Sequence, residues 1–399
     1  MKQSVLRRRV FYIPGFDPFP PRRYRELYRT ESQAQADISG YKITQAPLHS
    51  DKNFGWRVRS EINGFETTAD MYVLHWSDLV KSSMDHGVFA TYISLIKTAW
   101  IYVTSGALRD VMKLRKGPVI AALYPVGFLI AQLGFALLCA GILASVLWSI
   151  HPVFGILSLG VIWPILRVFQ KYDGKIFAHY LMQDYAHTAK HAGAYDIDLS
   201  KRLDEFAAII KEALTEDLDE VLVVGHSSGA HLGVSVLARL EREDAITPQS
   251  PISFLSLGQV VPMVSFLPNA TELRADLMQL GKSQAITRVD VTAPGDGCAF
   301  ALCDPVAVSG KGDGTQRWPL VLSAAFSQTL SAERWRKLRW RFFRLHFQYL
   351  CAFDRPGFYD YFHITAGPVT LDERFAGRAP SPSRIVTQVS RYGGQNDPG

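Results

Sequence analysis

Fifty consecutive positions of this 399-residue chain, Gly117 to Leu166, carry no Asp, Glu, Lys or Arg, although charged residues make up 20% of the whole. A soluble domain rarely leaves so long a stretch uncharged, so an all-soluble chain is not the expected reading. Cysteine is scarce. Cys139, Cys298, Cys303 and Cys351 show no paired metal-ligand spacing, which argues against a zinc module or a disulfide framework. They read as reduced thiols of a cytosolic compartment. No secretion signal is expected at the start, because the apolar run Val10 to Ile13 is short and Pro14 ends it. No G-K-[ST] loop is present, which excludes the usual phosphate cradle. The net charge of +6 is not gathered on one stripe, so nucleic acid is not an expected partner. Its runs lie at Arg7 to Arg9, Arg22–Arg23, Arg109 to Lys116 and Arg334 to Arg344. Two of them adjoin apolar segments, which suits an anionic membrane surface.

The uncharged block has room for two spans of about 20 residues each. The expected helices are Val119 to Leu147 and Val153 to Phe169, with a turn at Trp148 to Pro152. Gly127, Gly134 and Gly141 recur every seven positions and would form a helix–helix seam. Lys113, Arg115 and Lys116 precede the block, Arg167, Lys171 and Lys175 follow it, and the turn has no such cation. The positive-inside rule then places both ends in the cytoplasm. Expected partners are the bilayer, through residues 117–169, and a lipid-like substrate; the expected setting is a bacterial inner membrane. A re-entrant hairpin competes, since Pro125, Pro152 and Pro164 interrupt the block. Before it, Val88 to Val103 reads as an amphipathic or lid-like helix, or equally as a packed core helix.

Elsewhere strands and helices alternate. Val10 to Ile13, Tyr41 to Leu48, Trp56 to Ile62 and Met71 to Trp76 read as strands, with a helix from Arg22 to Ala36. After the block come helices at Ile176 to His191 and Leu199 to Thr215, the latter capped by Asp198 or Ser200. Then follow strand Glu220 to Val224, helix Gly229 to Arg242, strand Ile252 to Leu257, helix Thr271 to Leu280 and strand Ile286 to Val291. This is the pattern of a doubly wound, mostly parallel sheet. The tail, residues 379–399, is rich in Pro, Ser and Gly and reads as loose.

Directly after a buried strand and before a helix stands Gly225-His226-Ser227-Ser228-Gly229. This G-x-S-x-G holds a serine on a sharp turn above the sheet, with the N–H of Ser228 free to face an oxyanion. The competing reading is a Gly-rich turn with Ser227 as a cap. With this motif and strand order, the chain resembles the α/β-hydrolase family over Val10 to about Pro368, the apolar block being an insertion. The resemblance implies an α/β-hydrolase fold with a serine, acid and histidine in that chain order. Residues 1–116 then form the first half of the domain, 117–169 a transmembrane hairpin, 170–378 the second half, and 379–399 a flexible tail.

Under that constraint His346, in a His-x-x-Tyr setting, is favoured as the base, with His363 as alternative. Asp296, between Gly295 and Gly297, is favoured as the acid over Asp304 and the in-strand Asp290. The second oxyanion donor is assigned to Phe16, after Pro14-Gly15. Two departures stand out: the family's leading antiparallel strands are missing, with Tyr41 to Ile62 available to fill the edge, and the insertion precedes the elbow. No cofactor and no metal are expected. His179, His187 and His191 with Asp184 have helical spacing, but read as a polar face. Trp335 to Arg344 alternates cations and aromatics and reads as core packing or a headgroup contact rather than an RNA platform. The expected function is a serine hydrolase acting on an acyl ester or thioester. The alternative is a catalytically inactive membrane scaffold on the same fold. Oligomeric state is open.

Overall fold

The computed structural model describes residues 4–48, 53–84, 87–310 and 314–394, with the side chains of Lys175 and Ile176 outside that description. The chain is α/β, built on one eight-stranded sheet. Its strands are β1 (Arg7–Ile13), β2 (Lys42–Leu48), β3 (Gly55–Ile62), β4 (Phe65–Val73), β5 (Glu220–His226), β6 (Ile252–Leu257), β7 (Thr287–Thr292) and β8 (Leu320–Ser323). Their spatial order is β2-β3-β4-β1-β5-β6-β7-β8. Pairing is parallel from β4 through β1 to β8, while β3 runs antiparallel to both its neighbours.

Alternation along the strands builds two cores. Val10 and Tyr12 join Leu222 and Val224 on one face; Phe11 and Ile13 join Val221 and Val223 on the other. Both faces are therefore covered, which is why β5 reads as an unbroken apolar run. From β1 the chain builds one side of the sheet, then returns to β5 on the other. The crevice between the carboxyl ends of β1 and β5 is thus a topological switch point, where open α/β sheets bind ligands.

At the opposite end of these strands Arg8 and Glu220 form a buried ion pair at 2.7 Å. Arg8 also donates to the carbonyls of Gly367 and Val369, and Glu220 accepts from the N–H of Leu371. Every charged atom group is thereby satisfied away from water.

Two segments, Lys116–Trp148 and Pro152–Lys171, are long and apolar enough to cross a membrane, and only 22% and 17% of their most apolar windows are buried. Their arms are unequal. At 33 residues the first is about 50 Å long. The second is broken into Pro152–Leu157, a 3-10 turn at Ser158–Val161, and Ile162–Lys171. It packs on the far half of the first and on Val88: Ser158 Oγ donates to the Ala140 carbonyl at 3.2 Å, Phe169 meets Phe135, and Leu166 clusters with Ala136 and Val88. The near half packs instead on helices Val88–Thr104 and Ala178–Ala189, through Leu95, Leu129 and Met182. The expected glycine seam is not used, since a Cβ added at Gly127, Gly134 or Gly141 would meet nothing within 4 Å. Leu129, Gln132, Ala136 and Ala140 form the buried stripe.

Three smaller expectations are corrected. The helix Ile197–Ala213 is capped by Asp196, whose Oδ1 accepts from Leu199 N–H at 2.8 Å, rather than by Asp198 or Ser200. β4 starts at Phe65 and ends at Val73, so Leu74 to Trp76 lie beyond it. The tail is not loose up to residue 394. Ser381 N–H bonds the Val321 carbonyl at the sheet edge, and Arg391 pairs with Asp110 at 2.9 Å. Residues 395–399 lie outside the described residues.

Candidate active site

The elbow forms because its glycines admit approaches that no side chain would. A Cβ on Gly229 would sit 2.0 Å from the Ile13 carbonyl oxygen, so the helix Gly229–Arg242 can start tight against β1 only with glycine there. Ser227 is held at φ 57°, the left-handed region, which costs a non-glycine residue roughly 1–3 kcal/mol. Its N–H bonds the Leu257 carbonyl at 2.9 Å, and its side chain is partly exposed.

The loop after β1 lies directly on this serine. A Cβ on Gly15 would be 2.9 Å from Ser227 Cβ. Asp17 pins the loop by accepting from Tyr24 Oη at 2.6 Å and Phe19 N–H at 2.9 Å, while Trp76 Nε1 donates to the Pro14 carbonyl. Phe16 is buried, and its carbonyl accepts from the Tyr180 hydroxyl. The N–H groups of Phe16 and Ser228 make no hydrogen bond among the described residues, so both donors are free.

His346 and Asp296 come together. His346 Nδ1 bonds Asp296 Oδ2 at 2.7 Å, with both side chains almost fully buried. Asp296 also accepts from the Tyr349 hydroxyl at 3.0 Å and from Cys298 N–H at 2.9 Å. Burial alone would raise its carboxyl; the His346 ring and these donors outweigh that and hold it below its ordinary value. His226, inside the elbow motif, stacks its ring 4.8 Å from that of His346 and donates Nε2–H to the His346 carbonyl at 3.0 Å. Burial pushes His226 down to about 3, so it is neutral with one proton, the one this bond uses.

One expected link is missing. His346 Nε2 is buried and has no hydrogen-bond partner, so Ser227 and His346 are not bonded to each other.

The alternatives fall elsewhere. His363 sits where Arg8 bonds Gly367, at the far end of the strands, and its Nδ1 accepts from Arg374 at 2.6 Å. Asp304 caps the short helix Pro305–Ser309 and accepts from Gln316. Asp290 is fully buried and accepts from Ser256 Oγ at 2.5 Å.

The sequence places Asp184 beside the histidine face of its helix. It lines a cavity of about 30 Å³ with Trp76, His187, Ser228 and His231, next to the elbow. Burial raises its carboxyl to about 7, with the His346 ring opposing. The folded state therefore favours the protonated form. That stabilisation is complete below the ordinary value of 3.8 and is lost as pH rises through about 7. Asp184→Asn should remove this dependence: melts at pH 5 and pH 8 should differ less for the variant than for wild type. Equal pH dependence in both would refute it.

Among the described residues, Asp296, Cys298 and His346 are the one His/Cys/Asp/Glu group close enough to share an ion, with ligand atoms within 4.8 Å of one another. Such an ion would compete with the Asp296–His346 bond. His179, His187 and His191 do not form such a group; His187 stacks on Trp76 and Phe16. Comparison with family models, with curated proteins and with solved structures finds no match for this chain.

Proposed function

We propose that the chain is a membrane-anchored serine hydrolase of the α/β-hydrolase type, cleaving an ester or thioester of a lipid-like acyl substrate. The observation that carries this reading is the buried Asp296–His346 pair at 2.7 Å, beside a serine held at positive φ on a strand-to-helix turn. The spatial place of the family's leading antiparallel strands is taken by β2 and β3, which supports the fold assignment despite the late position of these strands in the chain.

Ser227 Oγ attacks the acyl carbonyl carbon while His346 Nε2 takes its proton. Asp296 holds the Nδ1–H and so leaves Nε2 as the accepting atom. The N–H groups of Phe16 and Ser228 face the oxyanion. The proton then passes from Nε2 to the leaving alcohol or thiol. Water, deprotonated by the same nitrogen, frees the acid and restores Ser227. The absent Ser227–His346 bond fits a resting state, because such bonds often tighten only when substrate closes the site. The two apolar helices supply the lipid-rich setting in which such substrates are concentrated.

A catalytically inactive scaffold is the second reading. The same missing bond and the small size of the adjoining cavity favour it. Labelling with a fluorophosphonate probe separates the two. Wild type should be modified and Ser227→Ala should not; an unlabelled wild type that is folded in detergent would favour the scaffold.

A further inference from the structure

The segment 333–344 exposes five cations, Arg336, Lys337, Arg339, Arg341 and Arg344, against one exposed acid, Glu333. Lys337 is the one that Glu333 neutralises, at 2.6 Å. The four arginines make no ion pair among the described residues. Between them stand two aromatic rings, Trp340, which is 72% exposed, and Phe342, which is 38% exposed with part of its ring against Gly297. Arg339 lies over the Trp340 ring at 5.6 Å. Cations interleaved with exposed aromatics suit the boundary between water and lipid, where the rings sit at the headgroup level.

The position of this arm says which boundary. Trp335 packs on Gly295 and Phe342 on Gly297, the residues on either side of Asp296. Gly117, at the entry to the first apolar helix, also approaches Gly297, with 3.2 Å from a Cβ there to Gly297 Cα. Phe343 meets Phe177 at 4.9 Å, just after the second apolar segment ends at Lys171. The arm therefore bridges from where the chain enters the apolar hairpin to where it leaves, and it runs straight into His346.

We infer that residues 336–344 dock on an anionic lipid headgroup layer, with Trp340 inserted among the headgroups and the arginines on their phosphates. This rests on the membrane-inserted reading of the hairpin, and not on the hydrolase chemistry. Docking would hold the Asp296–His346 edge of the candidate site at the bilayer surface, so that an acyl substrate is presented without crossing water.

The test uses the full chain reconstituted in nanodiscs of phosphatidylcholine alone or with phosphatidylglycerol. Trp340→Cys is labelled with a membrane-impermeant maleimide, above the wild-type background. With anionic lipid the labelling rate should fall at least about fivefold relative to phosphatidylcholine, and salt near 1 M should restore it. Replacing Arg336, Arg339, Arg341 and Arg344 together by Gln should abolish the protection; all four are exposed, so the fold is spared. Equal labelling in both lipids overturns the inference while the anchored reading stands. Protection by added RNA in phosphatidylcholine discs, but not by anionic lipid, overturns it in favour of a nucleic-acid surface. Failure of the chain to enter discs at all overturns both this inference and the membrane anchor.

Discussion

Asp296→Asn is expected to lower turnover of an acyl ester by a factor on the order of ten thousand while the protein stays folded. The carboxylate receives three donors: His346 Nδ1–H, the Tyr349 hydroxyl and Cys298 N–H. An ionised carboxylate accepts at both oxygens, whereas asparagine offers one acceptor and turns an N–H₂ toward a donor. The cheapest relief is for the imidazole to move its proton to Nε2. That nitrogen could then no longer accept the proton of Ser227, and the nucleophile would go unactivated. Steady-state hydrolysis and the rate of fluorophosphonate labelling both report this. A loss smaller than about tenfold would mean that His346 does not work through Asp296.

Arg8→Met should destabilise the protein by about 3–5 kcal/mol, the effect of leaving one buried charge without its partner. Glu220 is inside, and its other oxygen holds the Leu371 N–H, so it cannot turn to solvent without releasing the segment that closes the bottom of the sheet. The double variant Arg8→Met with Glu220→Met should recover much of that loss, because two apolar side chains of similar length fill the space without a charge to desolvate. Urea unfolding in mild detergent, followed by tryptophan fluorescence, measures both. If the single variant unfolds at the wild-type midpoint, the pair is not a structural anchor. If the double variant is as unstable as the single one, packing and not charge governs the position.

The elbow was legible in the sequence because everything that makes it is local: an apolar strand, two glycines and an amphipathic helix within about twenty residues. The helix Gly229–Arg242 and the strand Ile252–Leu257 lie where periodicity places them. Asp296 and His346 could be named only by adding the chain-order constraint, and the structure does bring those two side chains together. What the sequence hid depends on contacts between distant segments. Asp184 sits on a polar-looking helix, and nothing local shows that it shares a cavity with Trp76 and His231. The second apolar segment has enough length for one helix, yet it turns 3-10 at Ser158, where the hydroxyl bonds the Ala140 carbonyl of its neighbour. The tail has the composition of a loose end, but Arg391 finds Asp110 across 281 positions. Likewise, the regular glycine spacing marks a smooth helix face without saying which neighbour, if any, lies on it.

The strand order has a consequence for how the molecule is made. β1 lies at the centre of the sheet, yet its neighbour β5 begins 212 positions after the Arg8 that pairs with it. The apolar hairpin is synthesised in between. During translation β1 can pair with β4 early, leaving its other edge open until β5 has emerged. The nascent chain thus holds an unpaired central strand while the two apolar segments are made, and such an edge is a template for pairing with other chains. The serine turn, which follows β5, can assemble only after both apolar segments have been synthesised. A chain that stalls before β5 would present its open β1 edge to other chains before the serine turn had formed.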